Sequence, residues 1–223
     1  MLSFIPTPIG NKEDITLRAL RLLRELDVFF CEDTRTVKNL FRMYDIPYQD
    51  KKFYALTSHS DDRSLAFYVS CIEKTSCGVI SEAWTPWLSD PWKMLIKLAR
   101  ESWLPFEILP WANALVPAIV GTPCDTSIFT FGGFVPAKKW RKSFFERIMN
   151  NEHPVFVYES VHRVKKTFQE LLAIGYTGKI VVHRELSKMF EQKIQGSAEE
   201  LLVLVEQEKL PLKWEFVLGF YSS

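Results

Sequence analysis

The chain has 223 residues, a formal net charge of +1 and an apolar fraction of 47%, which is enough to bury one large core or two small ones. The near-zero charge excludes a global electrostatic attraction to nucleic acid or membrane, so any basic surface must be local. The four cysteines form no C-x-x-C pair and have no histidine at metal-ligand spacing, and no apolar run approaches a membrane span. We therefore expect a cytoplasmic protein with reduced thiols and no metal site.

Short β-like runs alternate with helical periods through the first half of the chain. Strands are predicted at 2–6, 27–31, 53–56, 77–81 and 105–109, and helices at 14–26, 32–44, about 61–74, up to about 102, and from 112. This alternation predicts a mainly parallel sheet with crossover helices on both faces.

The alternation breaks at residues 121–125, Gly-Thr-Pro-Cys-Asp, which we interpret as a linker between domains 1–120 and 121–223. Extended segments are predicted beyond it at 128–134, 155–159, 179–184, 190–195 and 215–220, and helices at 138–150, 161–173 and 197–206. Adjacent strands without an intervening helix predict a mixed sheet. The predicted fold class is therefore α/β, with two α/β domains.

The seven tryptophans occupy positions at which glycine would be expected. Three lie in the turn-rich stretch Trp-Thr-Pro-Trp-Leu-Ser-Asp-Pro-Trp at 84–92, and the others are Trp103, Trp111, Trp140 and Trp214. Turns and helix ends of this kind require positive φ, which glycine adopts freely and tryptophan resists. Counting them as glycines would raise nine glycines to sixteen, which is close to the usual fraction of about 7%.

We hypothesise that the gene uses UGA for glycine and that the printed chain reads UGA as tryptophan. The alternative is a tryptophan-rich protein whose indoles fill a core or an aromatic cleft. Buried tryptophan normally lies inside periodic apolar runs rather than in Pro/Ser/Asp turns, which favours the first interpretation.

Ligands of an open α/β sheet bind outside the carboxyl ends of its strands. Polar or turn-forming residues follow the predicted strands at 6–11, 32–35, 81–92, 110–113, 158–163 and 183–188. The sequence has no P-loop and no G-x-G-x-x-G, so nucleoside triphosphate or dinucleotide binding has no support. The histidines are scattered and have no nucleophile at a suggestive spacing, which disfavours a Ser-His-Asp hydrolase.

Several of these segments form a specific combination when they are taken together. They include Pro-Thr-Pro-Ile-Gly-Asn at 6–11, Glu-Asp-Thr-Arg at 32–35, the loop at 81–92, Phe-Gly-Gly-Phe-Val-Pro at 131–136, Tyr-Glu-Ser-x-His-Arg at 158–163, Arg-Glu-Leu-Ser-Lys at 184–188 and Lys-Trp-Glu-Phe-Val at 213–217. With this combination the chain resembles, essentially end to end, the small-subunit ribosomal RNA ribose methyltransferase I family of the tetrapyrrole-methylase superfamily. All seven tryptophans fall where that family typically has glycine, and Glu82 stands where aspartate is usual.

The resemblance implies a homodimeric enzyme that binds S-adenosylmethionine in a cleft between two α/β domains. It would methylate the 2′-hydroxyl of a decoding-centre cytidine in small-subunit ribosomal RNA. The cofactor contacts that the resemblance implies are Pro8, Glu82, Trp84, Thr85, Leu88, Asn113, Ala114, Tyr158, Glu185 and Leu186.

A carboxylate near the acceptor hydroxyl could take up its proton. The candidates are Glu32, Asp33 and Glu159, with Arg35 beside the first two. Each carboxylate could equally be a helix cap or an ion-pair partner of Arg35 or Arg163.

RNA contact is predicted from local basic clusters, because the net charge is balanced. The predicted RNA-binding residues are Lys138, Lys139, Arg141, Lys142 and Arg163.

Two alternatives remain open. A superfamily enzyme could act on a tetrapyrrole or another small acceptor, although the motifs at 32–35 and 158–160 argue against it. If the seven indoles are genuine, they would fill the cofactor site, and the chain would be a non-catalytic RNA-binding protein.

Overall fold

The computed structural model describes residues 1–56, 62–80 and 93–222. The chain divides into two compact units, Met1–Asn113 and Ala114–Ser223. The division lies between residues 113 and 114, whereas the sequence predicted it between 120 and 121. The cause is helix α5 (Leu115–Val120), which packs against strands of the second unit.

The first unit contains a five-stranded parallel sheet. Its strands are β1 (Leu2–Ile5), β2 (Val28–Cys31), β3 (Lys52–Ala55), β4 (Cys77–Ile80) and β5 (Phe106–Ile108), in the order β3-β2-β4-β1-β5. Its helices are α1 (Leu17–Glu25), α2 (Thr34–Met43), α3 (Asp62–Lys74) and α4 (Lys93–Glu101). The prediction of a parallel sheet with crossover helices is confirmed.

The three central strands of this sheet are buried on both faces. Successive side chains point to opposite faces, so Phe4 and Phe30 join one apolar cluster whereas Ile5 and Phe29 join the other. The two clusters explain why these strands are continuous apolar runs in the sequence. Gly78 is required on the second face, because a Cβ there would lie 2.6 Å from the Phe29 ring.

The second unit contains a five-stranded mixed sheet. After α5 the chain forms β6 (Thr130–Phe134), α6 (Arg141–Met149), β7 (Val155–Ser160), α7 (Val164–Ala173), β8 (Lys179–Arg184), β9 (Gln192–Gly196), α8 (Ala198–Glu206) and β10 (Glu215–Tyr221). The order is β6-β7-β10-β8-β9, with β6 parallel to β7 and the other pairs antiparallel. The predicted mixed sheet is confirmed.

Helix ends in the second unit follow local side-chain chemistry. Helix α8 begins with a reciprocal capping box between Ser197 and Glu200, as its Ser-x-x-Glu pattern indicates. Helix α6 begins at Arg141, later than the predicted start at 138, because Trp140 adopts a left-handed conformation at φ 70°. Within the described ranges, no helix has the length and apolarity that crossing a bilayer requires.

Candidate functional site

Three tryptophans have the backbone conformation that the sequence predicted for glycine. Trp103, Trp140 and Trp214 lie at φ 52°, 70° and 73°, and their side chains are 93%, 76% and 50% exposed. Trp111 is half-buried and is not left-handed. Trp84, Trp87 and Trp92 lie outside the described residues. The glycine-like conformation is thus confirmed at three positions, and the codon hypothesis remains a hypothesis.

The carboxyl end of β2 leads directly into a charged helix cap. The Asp33 carboxylate accepts a hydrogen bond from the Arg35 backbone N–H at 2.7 Å and pairs with the Arg35 guanidinium at 2.6 Å. These bonds hold the pKa of Asp33 down to about 2. A carboxylate with so low a pKa is a weak proton acceptor near neutral pH. Glu32 precedes it and is half-buried.

Glu159, at the end of β7, lies in a buried ion-pair network. Its side chain is fully buried, and its Oε1 accepts from the Ser160 backbone N–H at 2.7 Å and from Arg163 Nε at 2.9 Å. Its Oε2 accepts from Thr167 Oγ1 at 2.7 Å and from Arg141 Nη1 at 3.3 Å. A carboxylate that is buried with both oxygens bonded presents no free edge to a substrate, and removal of one of its partners is destabilising.

The same network changes the role expected for Arg141. Its side chain is only 4% exposed, donates to the Pro136 carbonyl and to Thr167, and pairs with Glu170 at 2.7 Å. The sequence predicted an RNA contact here because Arg141 stands in a basic run. The structure places it in the interior, where its guanidinium pairs with both Glu159 and Glu170.

The remaining members of the predicted basic cluster differ in exposure. Lys138, Lys139 and Lys142 are exposed, and Lys142 makes only a long pair with Glu146 at 3.9 Å. Arg163 is 28% exposed and its Nε is bound to Glu159. The exposed positive charge of this segment therefore comes from the three lysines.

Pro8 borders a cavity of about 220 Å³ at the carboxyl ends of β1 and β4. Thr7 and Gly10 from the first loop and Ile80 from the end of β4 share this border, together with residues of α2. Main chain at such strand ends is where an α/β sheet approaches its ligands. The sequence did not single out Lys12 or Asn39, which also line the cavity, because they lie on a short 3-10 helix (Lys12–Asp14) and on α2 and belong to no motif.

Three predicted cofactor contacts lie in β7 and near the start of α5. Tyr158 is 4% exposed, has the rings of Phe131 and Phe134 at 5.2 Å, and burial raises its pKa to about 12. Ala114 precedes α5 and its carbonyl accepts from the Ala118 N–H at 3.2 Å. Asn113 is half-buried at the end of the first unit.

Glu185 and Leu186 follow β8 and are both buried, at 6% and 4% exposure. Glu185 is left-handed at φ 53°, and its Oε1 accepts from Lys188 Nζ and from the Glu215 backbone N–H, each at 3.2 Å. The other predicted cofactor contacts, Glu82, Trp84, Thr85 and Leu88, lie outside the described residues.

His183 is a buried titratable group that the sequence analysis missed. It is fully buried in β8, and its Nε2 lies 3.3 Å from the Thr122 hydroxyl, which itself donates to the Ala118 carbonyl. The hydroxyl therefore accepts from Nε2–H, and Nδ1 has no partner among the described residues. Burial lowers the pKa of His183 to about 4. No cluster of His, Cys, Asp or Glu that could hold a metal ion occurs in the described part of the chain.

Comparison with known proteins gives consistent results. The model of the family "Tetrapyrrole (Corrin/Porphyrin) Methylases" matches residues 1–202. A Campylobacter fetus protein named "Ribosomal RNA small subunit methyltransferase I" is 33% identical over 98% of this chain and 83% of its own length. Proteins of the same name from Hydrogenobaculum (32%, 97% and 94%) and Streptococcus pyogenes (34%, 97% and 75%) are similarly related.

Solved structures share the fold at much lower identity. The uroporphyrin-III C-methyltransferase of Thermus thermophilus, determined with S-adenosylhomocysteine, has a TM-score of 0.62 at 16% identity and covers 98% of this chain and 96% of its own. A diphthine synthase has a TM-score of 0.68 at 13% identity, covering 99% and 89%. Family match, relatives and fold agree over nearly the whole sequence. The chain therefore belongs to the tetrapyrrole (corrin/porphyrin) methylase family, among the small-subunit ribosomal RNA methyltransferase I proteins, and is an S-adenosylmethionine-dependent methyltransferase.

Proposed function

We propose that this protein methylates the ribose 2′-hydroxyl of a cytidine in small-subunit ribosomal RNA. The observation that carries the proposal is the 33% identity to a small-subunit rRNA methyltransferase I over 98% of the chain. The motifs at 32–35 and 158–160, which argue against a tetrapyrrole acceptor, lie at the carboxyl ends of β2 and β7.

S-adenosylmethionine supplies an electrophilic methyl group on a positively charged sulfur. The protein contributes alignment of the hydroxyl and exclusion of water, because the positive charge disappears as the methyl is transferred. The described residues fit such a donor in one respect: Thr7, Pro8 and Gly10 border a cavity at the carboxyl end of β1. We propose that Pro8, Asn113, Ala114, Tyr158, Glu185 and Leu186 contribute to its binding.

Among the three candidate carboxylates we propose Glu32 as the group that accepts the hydroxyl proton. Asp33 is held as a helix cap with a pKa near 2, and Glu159 is buried with both oxygens bonded. Glu32 is half-buried immediately after β2. Loss of a general base typically lowers the rate by about 10²–10⁴-fold, so Glu32→Gln should reduce kcat by that order and Asp33→Asn by much less.

We propose that Lys138, Lys139 and Lys142 bind RNA phosphates. They are exposed and close in sequence, whereas Arg141 between them is occupied by the buried Glu159 and the half-buried Glu170. Neutralising one phosphate-binding lysine should reduce the slope of log K against log[salt] by about 0.7–0.9. The triple Lys→Gln variant should therefore reduce this slope for RNA binding by about 2–3. Lys97→Gln, at an exposed lysine of helix α4 in the first unit that pairs with Glu101 at 3.6 Å, provides the control.

We further propose that the protein is a homodimer acting in the cytoplasm. Five large apolar side chains between residues 116 and 134 of the second unit are more than 40% exposed, which is consistent with an association surface. They are Val116, Val120, Ile128, Phe129 and Phe134. Light scattering after size exclusion would give the mass directly, and a concentration-independent monomer would contradict the dimer.

The proposed activity is tested by transfer of tritiated methyl groups from S-adenosylmethionine to isolated small ribosomal subunits and to free rRNA. The printed protein should be compared with a version in which all seven tryptophans are glycine. We expect cofactor binding, measured by calorimetry, and transfer only with the glycine version, because indoles at 84, 87 and 111 would obstruct the approach of the main chain. Cofactor binding without label in rRNA would contradict the proposed acceptor, and tight cofactor binding by the printed chain would contradict the steric argument.

A further inference from the structure

A strained aromatic surface lies where β8 ends and β10 begins. Glu185, Ser187 and Trp214 are all left-handed, at φ 53°, 65° and 73°. Residues with a Cβ adopt this conformation at a cost, and such residues concentrate at binding and catalytic sites. Three such residues lie in two neighbouring segments, so the conformation of the backbone here is not the one that these residue types prefer.

The surface is open and apolar at its centre. Phe190 is 55% exposed, Met189 is 91% exposed, and both border a cavity of about 530 Å³. The indole of Trp214 lies on Phe190 with ring centroids 5.6 Å apart and an angle of 30° between the planes. Exposed aromatic rings in stacking geometry are typical of sites that bind unpaired bases.

Arg184 presents a flat cationic face to the same place. Its Nε donates to the Lys213 carbonyl at 3.1 Å and its Nη1 donates to the Phe190 carbonyl at 3.0 Å. These bonds hold the edge of the guanidinium, and its centre lies 5.6 Å from the Trp214 ring. Arg184 is only 5% exposed and its face lies against the indole, so the face becomes available for stacking by another group only where the indole is absent.

Three carboxylates around this surface are balanced by two lysines and Arg184. Lys188 Nζ lies 3.2 Å from Glu185 and 3.0 Å from Glu215, and Lys193 Nζ lies 3.0 Å from Glu191. A polyanion that approaches Phe190 therefore meets paired carboxylates.

We propose that Phe190 and Arg184 stack an unpaired base of the RNA substrate. The indole of Trp214 is a flat bicyclic aromatic group, as a purine base is, and it stacks on Phe190 where we place the base. The backbone of Trp214, at φ 73°, has a conformation that suits glycine. With glycine at 214, the rings that the indole now covers become accessible to a base. This inference rests on the proposed function for its ligand, and its site consists entirely of second-unit residues.

The test uses the full chain carrying Trp214→Gly and a short single-stranded RNA that contains 2-aminopurine, whose fluorescence is quenched by stacking. Phe190→Leu keeps the apolar volume and removes the ring, whereas Phe190→Tyr keeps the ring. We expect Phe190→Leu to weaken RNA binding roughly 5- to 150-fold, as loss of one stacked base does, and to abolish the quenching. Phe190→Tyr should keep both the RNA affinity and the quenching of the parent. Phe67→Leu, at a phenylalanine that is 44% exposed in the first unit, is the matched control and should leave both unchanged.

Equal RNA binding by Phe190→Leu and its parent, with both proteins folded by circular dichroism, would overturn the inference. Equal weakening by the leucine and tyrosine variants would also overturn it, because shape instead of stacking would then be responsible. Failure of the proposed function is separable. If subunits accept no methyl label but RNA binding still depends on the Phe190 ring, the acceptor is wrong and the stacking site stands.

Discussion

Replacing left-handed tryptophans by glycine should stabilise this protein, contrary to the usual effect of removing an aromatic residue. A Cβ-bearing residue in the left-handed region destabilises the folded state by about 1–2 kcal/mol. Replacing it by glycine removes this strain but makes the unfolded chain more flexible, which lowers the gain in stability by about 0.4–1 kcal/mol. Trp103 and Trp140 are 93% and 76% exposed, so their removal sacrifices little burial. The expected net gain is about 0.5–1 kcal/mol at each of these two positions.

Trp214 and Trp111 provide graded comparisons. Trp214 is left-handed but stacks on Phe190, and such an aromatic pair contributes about 0.5–1.5 kcal/mol, so Trp214→Gly should be close to neutral. Trp111 is half-buried and not left-handed. Trp111→Gly should therefore lower the free energy of unfolding, by about 1 kcal/mol from chain flexibility alone and further through reduced burial.

Urea denaturation of the four single variants measures these differences through the midpoint, provided that the m-value does not change. The expected order of stability is Trp103→Gly and Trp140→Gly above the parent, Trp214→Gly near it, and Trp111→Gly below it. Destabilisation of the Trp103 and Trp140 variants as large as that of Trp111→Gly would refute the reasoning. Separately, peptides of the protein from its native host should show glycine masses at these positions, and tryptophan masses there would end the codon hypothesis.

Three further outcomes follow from the buried charges and the helix cap. The pKa of His183 is about 4 when folded and about 6.5 when unfolded, so the unfolded state binds the extra proton as pH falls. Stability should decline from pH 6.5 to pH 4 by about 3 kcal/mol, and His183→Leu should flatten this part of the curve. Arg141→Met removes the buried cation from Glu159, which then keeps only the partly exposed Arg163, and should lower the free energy of unfolding by about 3 kcal/mol, the lower end for a broken buried pair. The exposed Lys142→Met should change it by less than about 0.5 kcal/mol, and both are measured in urea. Asp33→Asn keeps the capping oxygen and removes the charge, so its melting temperature should lie between those of the parent and Asp33→Ala.

The sequence predicted most of the fold because its strands and helices have local signals. Strand β8 has the predicted bounds, and α8 starts at the predicted Ser197 cap. Both sheets have the predicted parallel or mixed character. The domain boundary differed because α5 is too short for its sequence to show which unit it packs against; its packing on β10 and β7 decides that.

The candidate site was predictable only where its partners are close in sequence. The Asp33–Arg35 cap and the Glu159–Arg163 pair span two and four residues, and opposite charges at such short separations are readily anticipated near the start of a helix. Arg141 reaches Glu159 across eighteen residues and Glu170 across twenty-nine. A run of basic residues gives no sign that one member is turned inward, since charge counting carries no information on distant partners.

Left-handed φ alone does not identify a position that requires glycine. Glu185 and Ser187 are also left-handed, but each has compensating bonds: Glu185 with Lys188 and the Glu215 N–H, and Ser187 through its own N–H to Glu191 at 2.8 Å. Trp103 and Trp140 combine the same conformation with highly exposed rings that make no ring contact among the described residues. Glycine is favoured at these two positions because a left-handed backbone is combined there with an exposed ring that makes no compensating contact. At Trp214 the indole stacks on Phe190, so the preference for glycine depends on whether another group, such as a base, can take the place of the indole.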